Sequence, residues 1–265
     1  MPKIRVVVVD DSLTVRRHLC DVLNADPAFE VVGEGGDGRA AVELCRTLRP
    51  DVVTMDMCLP VMSGLAATEY IMAHFPTPIL IVSASTNRGE LYKTYEALAA
   101  GAVDVLEKPV NDAGPVGWEA QFLSTVKLVS RIRVITHPRA RLFPEHTLPH
   151  GIRSAEKHPK EAKPPGPLVI APRSLRAICV GASTGGPAAV LTILRGLPAD
   201  FPIPILMVIH IGEAFAPAFA DWLDGQSPLR VRFARDEETL PAVQPSAGVI
   251  LAPAAHHLEV RGNTL

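Results

Sequence analysis

The stretch Ile4-Arg5-Val6-Val7-Val8-Val9-Asp10-Asp11-Ser12 decides the fold. A β-branched run with almost no polar alternation is what a strand buried on both faces requires, and its abrupt end in two carboxylates and a hydroxyl marks the chain leaving the sheet. The residues that follow change period. Val15, Leu19, Val22 and Leu23 recur at the i, i+4, i+7, i+8 spacing of one apolar helix stripe, while Arg16, Arg17 and Asp21 face away. This strand-then-helix unit repeats. Strands over 29–33, 51–55, 78–82 and 102–106 alternate with helices over 39–48, 65–74 and 90–100, and a last helix spans 118–134. Strands alternating with helices in this way predict a parallel sheet with helices on both faces and right-handed crossovers.

Ligands of such sheets bind beyond the carboxyl ends of the strands. There the sequence keeps its unusual polar residues: Asp10 and Asp11 after the first strand, Asp56 after the third, Ser83 at the end of the fourth, and Lys108, followed by Pro109, after the fifth. One carboxylate at a strand end reads as a helix cap. Several strand ends agreeing read as a site. Three carboxylates in one cleft repel each other unless a cation lies among them, and an oxygen-rich set with few protein ligands suits Mg²⁺. The chemistry expected is phosphoryl transfer to a carboxylate, with Asp56 attacking in line, Asp11 and Asp56 holding Mg²⁺, and Lys108 and the Ser83 hydroxyl binding phosphoryl oxygens.

Beyond the last of these helices the periodicity disappears over 134–173, and Pro138, Pro144, Pro149, Pro159, Pro164, Pro165, Pro167 and Pro172 crowd the chain. Proline blocks helix and ladder hydrogen bonds, so this is an extended, partly disordered connector. Its histidines, His137, His146, His150 and His158, lack the tight spacing of metal ligands. The sequence thus divides into a first domain over 1–125, a linker over 126–175 and a second domain over 176–265.

In the second domain alternation resumes, with strands over 177–181, 203–209, 229–233, 249–251 and 258–260 and helices over 187–194 and 215–223, a second doubly wound sheet. Its first turn is Gly181-Ala182-Ser183-Thr184-Gly185-Gly186. A hydroxyl at the carboxyl end of a strand and the amino end of a helix meets unpaired backbone N–H groups, which suits a nucleophile or a phosphate. No lysine follows Gly186 to reach a phosphate, and the glycine spacing is not the dinucleotide fingerprint. His210 ends the next strand. Parallel neighbours lie about 4.8 Å apart, so Ser183 and His210 can come within hydrogen-bond reach. The match of Gly181, Ser183 and Gly185 to G-x-S-x-G also admits an α/β-hydrolase order, with Asp236 and His256 or His257 as partners.

Composition narrows the function classes. Hydrophobic residues make up 48% and charged residues 20%, and the formal net charge is -2, so no strong field points to nucleic acid or an anionic membrane. Cys20, Cys45, Cys58 and Cys179 form no C-x-x-C pair, as expected of reduced packing cysteines. No apolar run approaches the ~20 residues needed to span a bilayer, so no membrane insertion is expected and the location expected is cytoplasmic.

The first half resembles the receiver domain of bacterial response regulators, a flavodoxin-like (βα)5 unit, in its Asp10-Asp11, Met55-Asp56-x-x-x-Pro60, Ser83-Ala84 and Lys108-Pro109. The resemblance implies that Asp56 is the phosphoacceptor, a histidine kinase the donor, and Asp10, Asp11, Asp56 and the backbone carbonyl of Cys58 the Mg²⁺ ligands. The position three before Lys108, often aromatic in receivers, is Val105. Ala177-x-x-Val-Gly-Ala-Ser-Thr-Gly-Gly-Pro187, Val208-Ile-His-Ile-Gly212 and Gly248-Val-Ile-Leu-Ala-Pro253, behind a receiver and a linker, resemble the chemotaxis protein-glutamate methylesterase (CheB) family. That resemblance implies hydrolysis of glutamate methyl esters on chemoreceptors, in many members also deamidation of glutamines, with Ser183 as nucleophile, His210 as base and no cofactor for the esterase. The family has Gln before the histidine and Met-Pro after it; here Ile209, Ile211 and Gly212 stand there. The triad acid of the family has no counterpart up to Leu265, and Asp221, Asp224 and Asp236 match no family position for it. The expectation is therefore a C-terminally truncated, partial methylesterase domain. The alternative is a catalytically impaired phosphoswitch or phosphate sink.

Overall fold

The computed structural model describes residues 2–84, 88–108, 117–134, 175–213 and 215–265. The proline-rich connector falls almost entirely outside the described residues, its histidines included, and so does Pro109.

The first domain runs β1 (Ile4–Val9), α1 (Leu13–Ala25), β2 (Phe29–Gly35), α2 (Gly38–Leu48), β3 (Val52–Met55), α3 (Gly64–His74), β4 (Ile79–Ser83), α4 (Arg88–Ala99), β5 (Asp104–Glu107) and α5 (Trp118–Val129). The strands pair in parallel in the order β2-β1-β3-β4-β5. The β-branched run of β1 explains its central place, because both faces of it are covered. Val6 and Val8 join Leu19, Leu23, Phe122 and Val126 on one side, and Val7 and Val9 join Ala41, Cys45 and Ile71 on the other. Burying each such side chain contributes about 1.5–3 kcal/mol. The chain starts at β1, steps one way to β2 and then the other way to β3, so a crevice opens between β1 and β3. Register fills it. Val9 pairs with Met55, so Asp10 and Asp56 leave the sheet side by side, and Ser83 pairs with Glu107, so Lys108 leaves beside Ser83.

The helix caps come from other residues. Ser12, Asp37 and Ser63 accept from the first-turn N–H groups of α1, α2 and α3. Several boundaries shift by one or two residues from expectation, and α5 and β5 show why. α5 stops at Val129, five residues short, but continues past 125, the domain boundary set from the sequence, because Val126 and Val129 still have core to meet. β5 starts two residues late, with Ala102 and Val103 buried on the approach.

The second domain runs β6 (Ile178–Ala182), α6 (Gly186–Arg195), β7 (Ile205–Ile209), α7 (Ala216–Gln226), β8 (Val231–Phe233) and β9 (Val249–Leu251), with parallel strands in the order β6-β7-β9-β8. The step from β8 back to β9 reverses direction, and its connection carries Leu240 to the sheet face opposite the helices, against Leu206 and Ile250. The strand expected over 258–260 does not form. Leu258 and Leu265 lie against that same face, so the backbone crosses the sheet instead of extending it, and it turns back through an Arg261–Thr264 bridge and a bond from Leu240 N–H to Asn263 carbonyl.

The two domains share one core. Tyr95 on α4 is fully buried against Phe219 and Trp222 of α7, with ring centroids 5.5 and 5.4 Å away, and its hydroxyl donates to the Phe215 carbonyl. Tyr95 thus puts an aromatic ring on this face of the receiver, while the β5 position holds Val105. Among the described residues no helix is long and apolar enough to cross a membrane.

Candidate functional site

At the receiver crevice Asp10 and Asp56 are 0% and 4% exposed, and Asp11 is exposed at the rim. Each of the three brings an oxygen to within 4.8 Å of the others. Lys108 reaches in from the end of β5, with Nζ 2.7 Å from Asp10 Oδ2 and 3.1 Å from Asp56 Oδ2. The remaining oxygens are held locally. Ser12 N–H donates to Asp10 Oδ1 at 3.0 Å and Met57 N–H to Asp56 Oδ1 at 2.8 Å, which fixes both carboxylates without neutralising them. Burial pushes the Asp10 carboxyl above its ordinary range; Lys108 pulls it back and the Asp56 charge adds to the rise. Burial also pulls the Lys108 ammonium down, but its two carboxylate partners outweigh that and leave it above its usual value.

Three carboxylates facing one ammonium are an under-neutralised, all-oxygen donor set, and that chemistry fits a hard divalent cation. Ser83, 2% exposed, closes the pocket at the end of β4, its carbonyl accepting Lys108 N–H at 3.0 Å. Gly64 is required here, since a Cβ on it would fall 2.0 Å from the Asp56 carbonyl oxygen. The Cys58 side chain is exposed, and burial with the nearby Glu90 and Asp56 charges raises its thiol pKa, so the thiol itself is a poor ligand.

The second site lies at the carboxyl ends of β6 and β7. Ala182 pairs with Ile209, and His210 N–H donates to the Ala182 carbonyl at 2.9 Å, which places Ser183 and His210 on adjoining strand exits. Ser183 Oγ and His210 Nδ1 are 3.4 Å apart, and both side chains are open to solvent. The turn tightens through Gly186 N–H to the Ser183 carbonyl at 2.6 Å, and Gly185, at φ +77°, takes a left-handed conformation that a side chain would strain. Of the alternative partners, His256 has its Nδ1 2.7 Å from the Ala254 carbonyl oxygen. Asp224, which matches no family position for the acid, accepts from Val231 N–H and Arg230, tying α7 to β8.

Residues 6–114 match the family model of the response regulator receiver domain, and residues 178–265 match that of CheB methylesterase. The chain is 39% identical over 262 residues to protein-glutamate methylesterase/protein-glutamine glutaminase 4 of Myxococcus xanthus, covering 98% of this chain and 69% of that one. The chain belongs to the protein-glutamate methylesterase/protein-glutamine glutaminase family. A second member of this methylesterase family, number 3 of Anaeromyxobacter dehalogenans, is 42% identical over 260 residues, with 97% of this chain and 69% of that one covered. The solved response regulator domain of Thermotoga maritima CheB is 36% identical and aligns over 50% of this chain and 99% of that chain, with a TM-score of 0.45.

Within this methylesterase architecture the structure brings together a set of residues that the sequence reading passed over. Asp104, at the start of β5, accepts from Thr184 Oγ1 at 2.6 Å, and the Val103 carbonyl accepts from Gly185 N–H at 2.8 Å. Burial raises the Asp104 carboxyl, which the Thr184 and Val105 hydrogen bonds and the His210 charge partly offset. A carboxylate inside a segment read as an apolar strand was the available signal.

Proposed function

We propose that this chain is a phosphorylation-regulated chemotaxis methylesterase that removes methyl groups from glutamate γ-methyl esters of chemoreceptors, and converts glutamine side chains of the same receptors to glutamate. The observation that carries the reading is the Ser183–His210 pair at 3.4 Å on adjoining strand exits, in a domain whose family is shown.

Ser183 Oγ attacks the ester carbonyl carbon while His210 Nδ1 takes the hydroxyl proton. For that role Nδ1 is the unprotonated ring nitrogen. Backbone N–H groups of the turn from Ser183 into α6 are the donors proposed for the developing oxyanion. Collapse of the tetrahedral intermediate breaks the carbon–oxygen bond to the methoxy group, which leaves as methanol with the proton from His210. Water, deprotonated by His210, then cleaves the acyl-serine, leaving glutamate and a restored hydroxyl.

In the receiver, Asp56 accepts a phosphoryl group from the phosphohistidine of a kinase, with Lys108 and the Ser83 hydroxyl holding phosphoryl oxygens. Asp10, Asp11 and Asp56, with the Cys58 carbonyl, would hold Mg²⁺, which neutralises charge that builds up in transfer. The unphosphorylated receiver lies over the serine turn, a reading supported by the contacts of Val103 and Asp104 there, and phosphorylation of Asp56 loosens it. The reaction class is tested by methanol release from methylated receptor. Wild type releases methanol and Ser183→Ala and His210→Gln do not; equal release by Ser183→Ala would sink the nucleophile assignment.

A further inference from the structure

Arg16 stands in the first turn of α1, where a cation works against the helix dipole. It belongs to the polar side of that helix, yet its side chain is only 16% exposed. The guanidinium is bent back onto the sheet. Its Nη1 donates to the Asp10 carbonyl at 2.5 Å, and its Nε lies 3.5 Å from Glu34 Oε2. Register puts both partners within reach, because Val8 pairs with Glu34 and Val9 with Gly35, so Glu34 sits beside the exit of β1. Glu34 is held in turn by Cys20, which is buried one helical turn beyond Arg16. Burial, then the Glu34 charge and the hydrogen bond to it, push that thiol up to about 12, so it remains a protonated donor.

The carbonyl that Arg16 holds belongs to the peptide joining Asp10 to Asp11. A peptide unit is planar, so pinning its oxygen sets the direction in which the chain carries Asp11. Asp10 itself is fixed from other sides, by its own N–H donating to the Gly35 carbonyl at 3.0 Å and by Ser12 N–H on its Oδ1 at 3.0 Å. Arg16 governs the step from one carboxylate to the next.

We propose that Arg16 is a positioning residue for the cation of the receiver pocket: aimed by Glu34, it locks the Asp10–Asp11 peptide so that both carboxylates are presented to a divalent cation together. This rests on the reading that Asp10, Asp11 and Asp56 hold that cation. Repulsion and positioning differ in sign here. A fixed positive charge near a cation site opposes binding, so if charge were the main effect, removing Arg16 would tighten the site. If holding the peptide is the main effect, removing it loosens the site, since losing a group that orients metal ligands costs about ten- to a hundredfold in affinity.

The test uses the full chain and Mn²⁺ alone, a hard cation that suits the same oxygen ligands as Mg²⁺, with free Mn²⁺ read from its electron paramagnetic resonance signal. Loss of binding in Asp11→Asn identifies the site. Arg16→Met is expected to weaken Mn²⁺ binding about tenfold or more, and Arg16→Lys, which keeps the charge and loses the fork, to fall between it and wild type. Glu34→Gln should weaken binding in the wild-type chain and have no further effect in Arg16→Met, because Glu34 acts through Arg16. In phosphorylation by a small-molecule donor, Arg16→Met should raise the Mg²⁺ concentration for half-maximal rate about tenfold, with little change in the rate at saturating Mg²⁺. Metal-free melting curves confirm folding, and if Arg16→Met does not fold, Arg16→Lys and Glu34→Gln decide. Equal or tighter Mn²⁺ binding by Arg16→Met, or binding by Arg16→Lys as tight as wild type, would overturn the proposal and leave the cation reading standing. Wild type that binds no Mn²⁺ would sink both.

Discussion

Asp56 and Ser183 occupy equivalent places, each just beyond the carboxyl end of a parallel strand, yet their surroundings are opposites. Asp56 is 4% exposed, flanked by Asp10 and Asp11 and paired with Lys108 at 3.1 Å. Ser183 is open to solvent among small residues, 3.4 Å from an equally open histidine. The receiver pocket is charged before any ligand arrives, because the Lys108 ammonium lies between two buried carboxylates. The serine corner is built of small uncharged residues, and part of its donor set is satisfied by the receiver itself. Topology supplies the position of a site, and the neighbouring side chains set its character, a buried charged pocket at Asp56 and an open corner of small residues at Ser183.

The contrast is broken most severely at the two residues proposed to react, Ser183 and Asp56. Ser183→Ala is expected to lower methanol release by about 10⁶-fold, the scale seen when a serine nucleophile is removed from a well-studied hydrolase. Asp56→Asn is expected to leave unstimulated release in place and abolish its response to a phosphodonor. A fall of similar size in both variants would mean that the two sites are not separable. Next in size is the joint between them. Tyr95→Ala removes a fully buried ring packed on Phe219 and Trp222 and should destabilise the full chain by about 3–5 kcal/mol in urea unfolding.

Lys108→Met sharpens the electrostatic half of the comparison. It leaves Asp10 and Asp56 buried without their cation and should cost about 3 kcal/mol at neutral pH with no divalent cation present. That deficit should shrink as pH falls, because the Asp10 pKa is already raised and protonation removes the repulsion. Asp104 has the same sign. Its carboxyl is higher in the folded chain than the ordinary 3.8, so folding takes up a proton and stability rises as pH falls through the raised value toward 3.8. Melting temperatures of wild type minus Asp104→Asn should therefore climb over that window, and a flat difference would mean that Asp104 is not buried against Thr184. The smallest effect is at Val61, a β-branched residue at φ 64° that is 80% exposed beside the pocket. Val61→Asn should stabilise by about 1 kcal/mol, since asparagine tolerates the left-handed region.

The receiver could be read almost completely from the chain. Unbroken β-branched strands and helix stripes fixed the order of elements, and the rule that ligands sit beyond strand ends picked out Asp10, Asp11, Asp56, Ser83 and Lys108, all of which line one crevice or its rim. Ser183 and His210 were legible for the same reason. What the sequence concealed was everything that depends on how the two halves meet. Asp104 and Thr184 lie 80 residues apart and carry no shared period, and Tyr95 reads as one more apolar residue on an amphipathic helix. The strand expected over 258–260 failed because apolar alternation marks a face to be buried, and Leu258 buries it flat on the sheet rather than at an edge.

The account stands most directly on communication between Asp56 and Ser183. Methanol release from methylated receptor, followed before and after adding a small-molecule phosphodonor with Mg²⁺, measures it in one assay. The expected result is faster release by wild type and no change for Asp56→Asn. Equal acceleration in both, or none in wild type that releases methanol steadily, would contradict it.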